Sequence, residues 1–256
     1  MAALAAVALV GAGCSSSTST ATTTTTGPQL SGSITVSAAS SLTGAFTTLA
    51  ASFHRVHPGA TVSFNFGSSG ALATQIVAGA PADVFASASP TNMATVVAAH
   101  LVSGTPVTFA RNRLEIVVKP HDPLGIHALA DLDKATVVAL CVPTAPCGST
   151  AQQALARAGV TLATSKVSLG ANVEVTAAQV TTGDADAGIV YVTTAATVGT
   201  SGVAVPIPPS QNVTTSYPIA VLTTSADRAL ASAWAAYVLG PVGRAALLHA
   251  HFLPPT

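Results

Sequence analysis

The sequence predicts an α/β fold in two lobes. Short apolar runs typical of buried strands alternate along the chain with amphipathic runs typical of helices. Because strands that are connected through helices usually run parallel, this alternation predicts mostly parallel sheets. The pattern starts a second time near Arg113, and the roughly 225 residues that follow an N-terminal export segment are enough for two small lobes.

The first series holds three strands and three helices. The strands are predicted at 34–36, 62–66 and 83–86, and the helices at 42–56, 71–78 and 90–99. Pro58 and Gly59 predict the end of the first helix, because proline does not continue a helix. Pro90 behind Ser89 predicts the start of the third helix, with the proline in its first turn.

The second series repeats this alternation and ends in two helices. Its strands are predicted at 114–118, 137–140 and 188–192, and its helices near 126–132, 148–158 and 173–182. A final strand at 217–222 is followed by helices at 226–239 and 241–249. The chain shows no short internal repeat, so a solenoid is not expected.

The composition argues against a nucleic-acid partner. Charged residues make up only 7% of the chain and the formal net charge is zero, whereas typical globular proteins have roughly 25% charged residues. No run of Lys and Arg provides the basic face that grips a phosphate backbone. Aromatic residues are only 4% of the chain, so few side chains are available to stack on bases.

The N-terminus resembles the signal peptide of a bacterial lipoprotein. Residues 1–13 are apolar and rich in small residues, and they end at Cys14, which would become the lipidated first residue of the mature chain. About 13 apolar residues are too few to cross roughly 30 Å of hydrocarbon. Residues 15–33 are almost entirely Ser, Thr and Gly, so 14–33 are expected to be a lipidated cysteine and a disordered tether. The protein is therefore expected to be extracytoplasmic and lipid-anchored to the cell membrane; the alternative is an ordinary cleaved signal with a fortuitous cysteine.

Two further cysteines, Cys141 and Cys147, remain as an even pair once Cys14 is lipidated. In the oxidising environment outside the cytoplasm, this pair predicts a disulfide that closes a small loop. A metal site is the weaker alternative, because two cysteines at this spacing have no partner ligands nearby.

Two serine-rich turns, 40–43 and 68–70, each lie between a predicted strand and a predicted helix. Such a turn directs free backbone N–H groups and the positive end of a helix dipole at one point, where hydroxyls can join them around an anion. Neither turn contains Lys or Arg, so the site would hold a small oxyanion with neutral donors. The alternative is that these serines are ordinary helix N-caps.

Five segments, in order along the chain, carry a resemblance to a known family. They are 34–43 (ITVSAASSLT), 66–72 (FGSSGAL), 75–85 (QIVAGAPADVF), 188–191 (GIVY) and 217–221 (YPIAV). Together they resemble the periplasmic molybdate-binding proteins of ABC-type importers, which have the type II periplasmic binding protein fold. The resemblance runs from about Ile34 to Phe252. It implies a two-lobed clamp with the ligand cleft between the lobes, in which 34–110 plus 217–256 form lobe 1 and 111–216 form lobe 2.

The resemblance also implies five contacts to the oxygens of the anion. On lobe 1 these are the hydroxyls of Ser41 and Ser69. On lobe 2 they are the backbone N–H groups of Cys147 and Val173 and the hydroxyl of Tyr191. The family has a small residue other than cysteine at the position of Cys147. The change is tolerable, because the implied contact is made by the backbone N–H and not by the side chain. No cofactor is implied, and the only metal would be the molybdenum or tungsten within the bound oxyanion.

A pocket that contains only donors also discriminates between anions. Phosphate at neutral pH keeps a proton, which would face donors alone, whereas molybdate, tungstate and sulfate are fully deprotonated. Phosphate is therefore expected to be rejected. Glu174 follows Val173 in a first helical turn, and its side chain is expected to point away from the cleft.

The function implied is that of a monomeric, non-enzymatic receptor that captures molybdate or tungstate and delivers it to the permease of an ABC transporter. Two alternatives stay open: a receptor for another solute, such as sulfate or a divalent metal, and a secreted serine hydrolase. The hydrolase is disfavoured because the turn at 67–70 lacks the final glycine of the G-x-S-x-G motif, where Ala71 stands.

Overall fold

A computed structural model describes residues 1–3 and 30–256. Lipidation at Cys14, most of the signal segment and the tether up to residue 29 therefore lie outside the described residues. The prediction of a disordered tether is wrong for 31–33, because a β-strand begins at Ser31 and these residues pair with 59–61 of a neighbouring strand.

The described residues form ten strands and eight α-helices. The strands are β1 (Ser31–Ala39), β2 (Gly59–Gly67), β3 (Val84–Ala86), β4 (Val102–Asn112), β5 (Leu114–Val118), β6 (Val138–Cys141), β7 (Val167–Gly170), β8 (Ala187–Tyr191), β9 (Val203–Pro206) and β10 (Thr215–Leu222). The helices are α1 (Thr43–Val56), α2 (Ser69–Val77), α3 (Pro90–Ala98), α4 (Pro146–Ala158), α5 (Val173–Thr181), α6 (Val192–Ala195), α7 (Arg228–Leu239) and α8 (Pro241–His249). None of the helices in this part of the chain is long and apolar enough to cross a membrane.

The first sheet has the strand order β2-β1-β3-β10-β4 and takes strands from both ends of the described region. β1 pairs in parallel with β2 and β3, whereas β10 pairs antiparallel with β3 and β4. Aromatic side chains pack its core: the ring of Trp234 on α7 meets Phe46 and Phe53 of α1 edge-on, with centroids 5.7 and 5.6 Å apart. This sheet and the helices that cover it are lobe 1.

The second sheet has the order β7-β6-β8-β5-β9. β6 pairs in parallel with β7 and β8, and β5 pairs antiparallel with β8 and β9. Its core consists mainly of Ala, Val, Leu and Ile side chains, and it includes a disulfide between Cys141 and Cys147, the pair expected from the sequence. This sheet and its helices are lobe 2.

The prediction of mostly parallel sheets is wrong, because half of the strand pairings are antiparallel. The chain leaves the first sheet through β4 and returns through β10, and these neighbouring strands run in opposite directions. β4 escaped prediction because Gly104 and Pro106 interrupt its apolar pattern. The helix predicted near 126–132 is a 3₁₀ segment, Leu129–Lys134, and the short strands β7 and β9 were also missed.

Two adjacent chain crossings join the lobes. The first crossing leaves β4 at Asn112, which pairs with Thr215 at the start of β10. Asn212 holds the second crossing to lobe 2: its Oδ1 accepts from the N–H of Leu114 at 3.0 Å, and its Nδ2 donates to the carbonyl of Leu114 at 2.8 Å. The predicted boundary between the lobes is therefore off by two residues at each crossing. Residues 111–112 pair with 215–216 in the sheet of lobe 1, whereas the prediction placed all four in lobe 2.

Candidate functional site

A small void lies between the lobes, where helix starts from both of them face one another. Its space, including its opening to solvent, is about 200 Å³. All five residues implied by the resemblance line it: Ser41, Ser69, Cys147, Val173 and Tyr191. No lysine, arginine or carboxylate is among the described residues that line this void.

Ser41 lies in the 3₁₀ segment Ser40–Leu42, which links β1 to α1. Its hydroxyl oxygen is 2.8 Å from the hydroxyl oxygen of Tyr217, and both side chains are buried. Neither this segment nor α1 has a side-chain cap hydrogen bond at its start. The ordinary N-cap role weighed from the sequence therefore does not apply to Ser41.

Ser69 is the first residue of α2 and is fully buried. Its Oγ accepts a hydrogen bond from the backbone N–H of Ala88 at 2.9 Å, and Ser68 before it makes no side-chain cap hydrogen bond. Because the Ser69 oxygen already accepts, its own proton is available to donate into the void.

Cys147 is the second residue of α4, behind Pro146, which has no N–H to leave unpaired. The disulfide to Cys141, with the Cα atoms 5.8 Å apart, ties this helix start to the end of β6. Gly148 is required next to it, since a Cβ there would clash with the carbonyl oxygen of Val142. An N–H in the first turn has no acceptor within the helix, so the N–H of Cys147 can serve a ligand.

Val173 is the first residue of α5, and Asn172 before it is a true N-cap. The Oδ1 of Asn172 accepts from the N–H groups of Glu174 at 3.0 Å and Val175 at 3.1 Å. This cap fixes the start of α5 against the void and engages the second and third N–H groups of the helix. The N–H of Val173 is left for another acceptor.

Tyr191 ends β8 and is 1% exposed, yet its hydroxyl has no hydrogen-bond partner among the described residues. Burial raises the pKa of Tyr191 well above its usual value, and Tyr217 nearby raises it further. The nearby Thr150 hydroxyl lowers the pKa of Tyr191, but the two hydroxyls do not reach hydrogen-bonding geometry, and Thr150 donates its own proton to the carbonyl of Pro146 at 2.6 Å. A buried unpaired hydroxyl is rare in folded proteins, and this one lines the void, as expected of a group whose partner is a ligand.

Glu174 lines a second, larger cavity beside the void, together with Ser41 and Thr193. Its Oε1 accepts from the hydroxyl of Thr194 at 3.0 Å. Burial raises the pKa of the Glu174 carboxyl, while this hydrogen bond lowers it. The side chain does not line the small void, but the expectation that it points away from the whole cleft is wrong, because the larger cavity also lies between the lobes.

The lobes touch at the start of α2. A Cβ added to Gly70 would lie only 2.5 Å from the carbonyl oxygen of Thr144, in the loop before α4. Ordinary contacts of a Cβ begin near 3.4 Å, so only glycine permits this approach. The cleft is therefore closed at this end.

Asn112 and Tyr217 belong to the site region and were not identified from the sequence. The Nδ2 of Asn112 donates to the hydroxyl of Tyr217 at 3.3 Å and to the hydroxyl of Thr193 at 2.9 Å. Tyr217 opens one of the segments that carried the resemblance. Nothing local indicates its contact with Ser41, which lies 176 residues earlier in the chain.

Comparison with known proteins agrees with this architecture. Residues 34–253 match the family model described as bacterial extracellular solute-binding protein. The molybdate-binding protein ModA of Mycobacterium tuberculosis is 40% identical over 224 residues, which cover 87% of this chain and 85% of that protein.

Solved structures show the same fold. The periplasmic molybdate-binding protein of Azotobacter vinelandii matches with a TM-score of 0.77 at 24% identity, covering 87% of this chain and 100% of that chain. The sulfate-binding protein SubI from Mycobacterium tuberculosis also matches with a TM-score of 0.77, at 20% identity, covering 87% of this chain and 86% of that chain. The two-lobed α/β fold predicted from the sequence is confirmed.

Proposed function

Because the chain belongs to the family of bacterial extracellular solute-binding proteins, we propose that it captures a tetrahedral oxyanion, molybdate or tungstate, for import. One observation carries this proposal: donors from both lobes meet at one small void, and the buried hydroxyl of Tyr191 has no partner there among the described residues. An oxyanion in the void would supply the missing acceptor.

The donor set is sufficient without a positive side chain. A hydrogen bond to a charged group contributes about 1.5–3 kcal/mol, and a helix N-terminus adds about 0.3–1 kcal/mol for an anion. Five such donors together contribute about 7.5–15 kcal/mol before the cost of association is subtracted, so neutral donors alone can supply the favourable term for a dianion. The anion would touch both lobes, so it would stabilise the closed state over the open one.

The void favours a small guest, and a relative favours molybdate among the small oxyanions. The part of the void that a water-sized guest could occupy is only about 10 Å³, far below the roughly 300–1,000 Å³ of pockets for drug-sized ligands, so the void suits only a guest of few heavy atoms. The relative at 40% identity is a molybdate-binding protein. Tungstate, which is close to molybdate in size and charge, should bind comparably.

Capture would be followed by delivery rather than by chemical turnover. The loaded receptor, a monomer, would release its anion to the permease of an ABC transporter. A lipid on Cys14 would keep it at the membrane, with the residues before β1 as a tether.

The test is calorimetric titration of molybdate, tungstate, sulfate and phosphate into the wild-type protein and a Ser41→Ala/Ser69→Ala variant. We expect molybdate and tungstate to bind the wild type most tightly, and the variant to lose at least about tenfold in affinity for each removed hydroxyl. Ser33→Ala/Ser103→Ala, which removes two exposed strand hydroxyls, is the matched control and should bind as the wild type does.

Each outcome bears on a different part of the proposal. Tighter binding of sulfate than of molybdate would make the protein a sulfate receptor. Unchanged molybdate affinity in the Ser41/Ser69 variant would remove the site assignment. No binding of any of the four anions would end the oxyanion proposal.

A further inference from the structure

A line of buried hydrogen bonds runs from the junction of the lobes to the void. It begins at Asn112, the last residue of β4, passes through the hydroxyl of Tyr217 on β10 and ends at the hydroxyl of Ser41. Asn112 and Tyr217 are fully buried and Ser41 is 8% exposed, so water does not compete freely along this line.

The direction of the first bond is set by the backbone. The N–H of Arg113 donates to Oδ1 of Asn112 at 2.9 Å, which identifies the other amide atom as Nδ2. Nδ2 can act only as a donor, and it donates to Tyr217 Oη at 3.3 Å and to Thr193 Oγ1 at 2.9 Å. Tyr217 therefore accepts from Asn112.

The direction of the second bond follows from the first. The proton of Tyr217 needs an acceptor, and Ser41 Oγ at 2.8 Å provides one. If Ser41 donated instead, the Tyr217 proton would be buried without an acceptor among its hydrogen-bond partners, which folded proteins avoid. With Tyr217 donating, one lone pair of Ser41 is engaged, and the Ser41 proton, which has no acceptor among the described residues, is left for the void.

We propose that Asn112 and Tyr217 are positioning residues that hold Ser41 as a donor and thereby make the site exclude protonated oxyanions. The inference rests on the proposed function, and it adds a cause for one part of its specificity. The donor character of Ser41 is imposed by two residues that do not line the void.

Hydrogen phosphate tests this chemistry because it carries two negative charges, as molybdate does, but has one O–H that needs an acceptor. In the wild type, Ser41 presents its own proton to the void, so the O–H of hydrogen phosphate would meet a donor there instead of an acceptor. Removing the Tyr217 hydroxyl would free the lone pair of Ser41 that now accepts from it, and the Ser41 hydroxyl could then rotate to present either its proton or a lone pair to the void. The Ser41 position could then accept from a protonated anion as well as donate to a deprotonated one.

The experiment measures the affinities of molybdate and hydrogen phosphate at mildly alkaline pH for the wild type and Tyr217→Phe. We expect Tyr217→Phe to reduce the ratio of molybdate affinity to phosphate affinity by at least about tenfold. The size difference between the two anions is the same in both proteins, so it cancels from this comparison.

Tyr237→Phe is the matched control. It removes a tyrosine hydroxyl from α7 of lobe 1, where Tyr237 Oη donates to Ser52 Oγ at 2.8 Å and neither residue lines the void. Its affinity ratio should equal that of the wild type. Asn112→Ala is a second variant, used if Tyr217→Phe does not fold, and it should shift the ratio in the same direction because Tyr217 can then accept from Ser41.

The outcomes separate the inference from the function. A wild type that binds no molybdate removes the proposed function. If the wild type binds molybdate but the folded variant keeps the same ratio of molybdate to phosphate affinity, the role of Asn112 and Tyr217 is overturned and the proposed function stands. An equal loss of affinity for both anions would mean that Tyr217 only supports the packing of Ser41, and it would overturn the inference too.

Discussion

Replacing Gly70 with alanine should weaken anion binding without destabilising the ligand-free protein. The added methyl group would lie 2.5 Å from the carbonyl oxygen of Thr144, which is 0.9 Å closer than the 3.4 Å at which ordinary contact begins. Overpacking of this kind costs about 1–3 kcal/mol. Because only the closed, loaded state bears this cost, the affinity for molybdate should fall by about 5- to 150-fold.

The ligand-free protein should respond in the opposite direction. When the lobes open, the methyl group no longer meets Thr144, and alanine in a helix is favoured over glycine by up to about 1 kcal/mol. The free energy of unfolding without anion, measured by urea denaturation, should therefore be unchanged or slightly higher. Small-angle scattering of the loaded variant should show a less compact particle than the loaded wild type.

Gly44→Ala provides a matched control. Gly44 is the second residue of α1, as Gly70 is of α2, and nothing lies within 4 Å of a Cβ added to it. It should bind molybdate as the wild type does. If Gly70→Ala binds as tightly as Gly44→Ala, the close approach of Gly70 and Thr144 is not part of the loaded state, and the reasoning is refuted.

Two further substitutions probe the charge and the donors of the site. Tyr191→Phe should lower molybdate affinity by about 10- to 100-fold, since it removes a donor to a charged guest. The ligand-free variant should be at least as stable as the wild type, because the deleted hydroxyl is unpaired among the described residues. Calorimetry measures the affinity and denaturation the stability, and a less stable variant with normal affinity would contradict the prediction. Glu174→Gln should bind molybdate several-fold more tightly than the wild type at neutral pH, because it removes a negative charge beside the anion. Burial raises the pKa of Glu174, so the wild-type carboxylate takes up a proton as the pH falls towards that value, and the difference between the two proteins should shrink on acidification. Glu115→Gln, at another partly buried glutamate, is the control and should bind molybdate as the wild type does.

The sequence was informative where local chemistry decides the structure. Alternating apolar and amphipathic runs indicated most helices and strands, and the serine-rich turns fell at helix starts on one lobe. The family resemblance then placed Cys147, Val173 and Tyr191 beside Ser41 and Ser69, and all five line one void. Their role as anion contacts stays a prediction.

The sequence was uninformative where distant segments decide the structure. Whether β4 and β10 run parallel or antiparallel depends on how the chain returns between lobes, which no local period encodes. The bonds from Asn112 through Tyr217 to Ser41 join residues that lie 105 and 176 positions apart. Glu174 likewise looked like an ordinary first-turn carboxylate until the packing of α5 against the other lobe was known.

The two crossings between the lobes lie side by side, and this limits how the protein can move. The end of β4 pairs with the start of β10, where Asn112 lies opposite Thr215, and Arg111 also pairs with Leu253 near the C-terminus. The side chain of Asn212 joins the returning segment to the backbone of Leu114 by two hydrogen bonds. Such a ribbon bends more easily than it shears, because shearing would break its ladder of hydrogen bonds. Lobe motion is then mainly a rotation about the ribbon, so an anion of only a few heavy atoms, held by both lobes, can act as the latch for an entire domain.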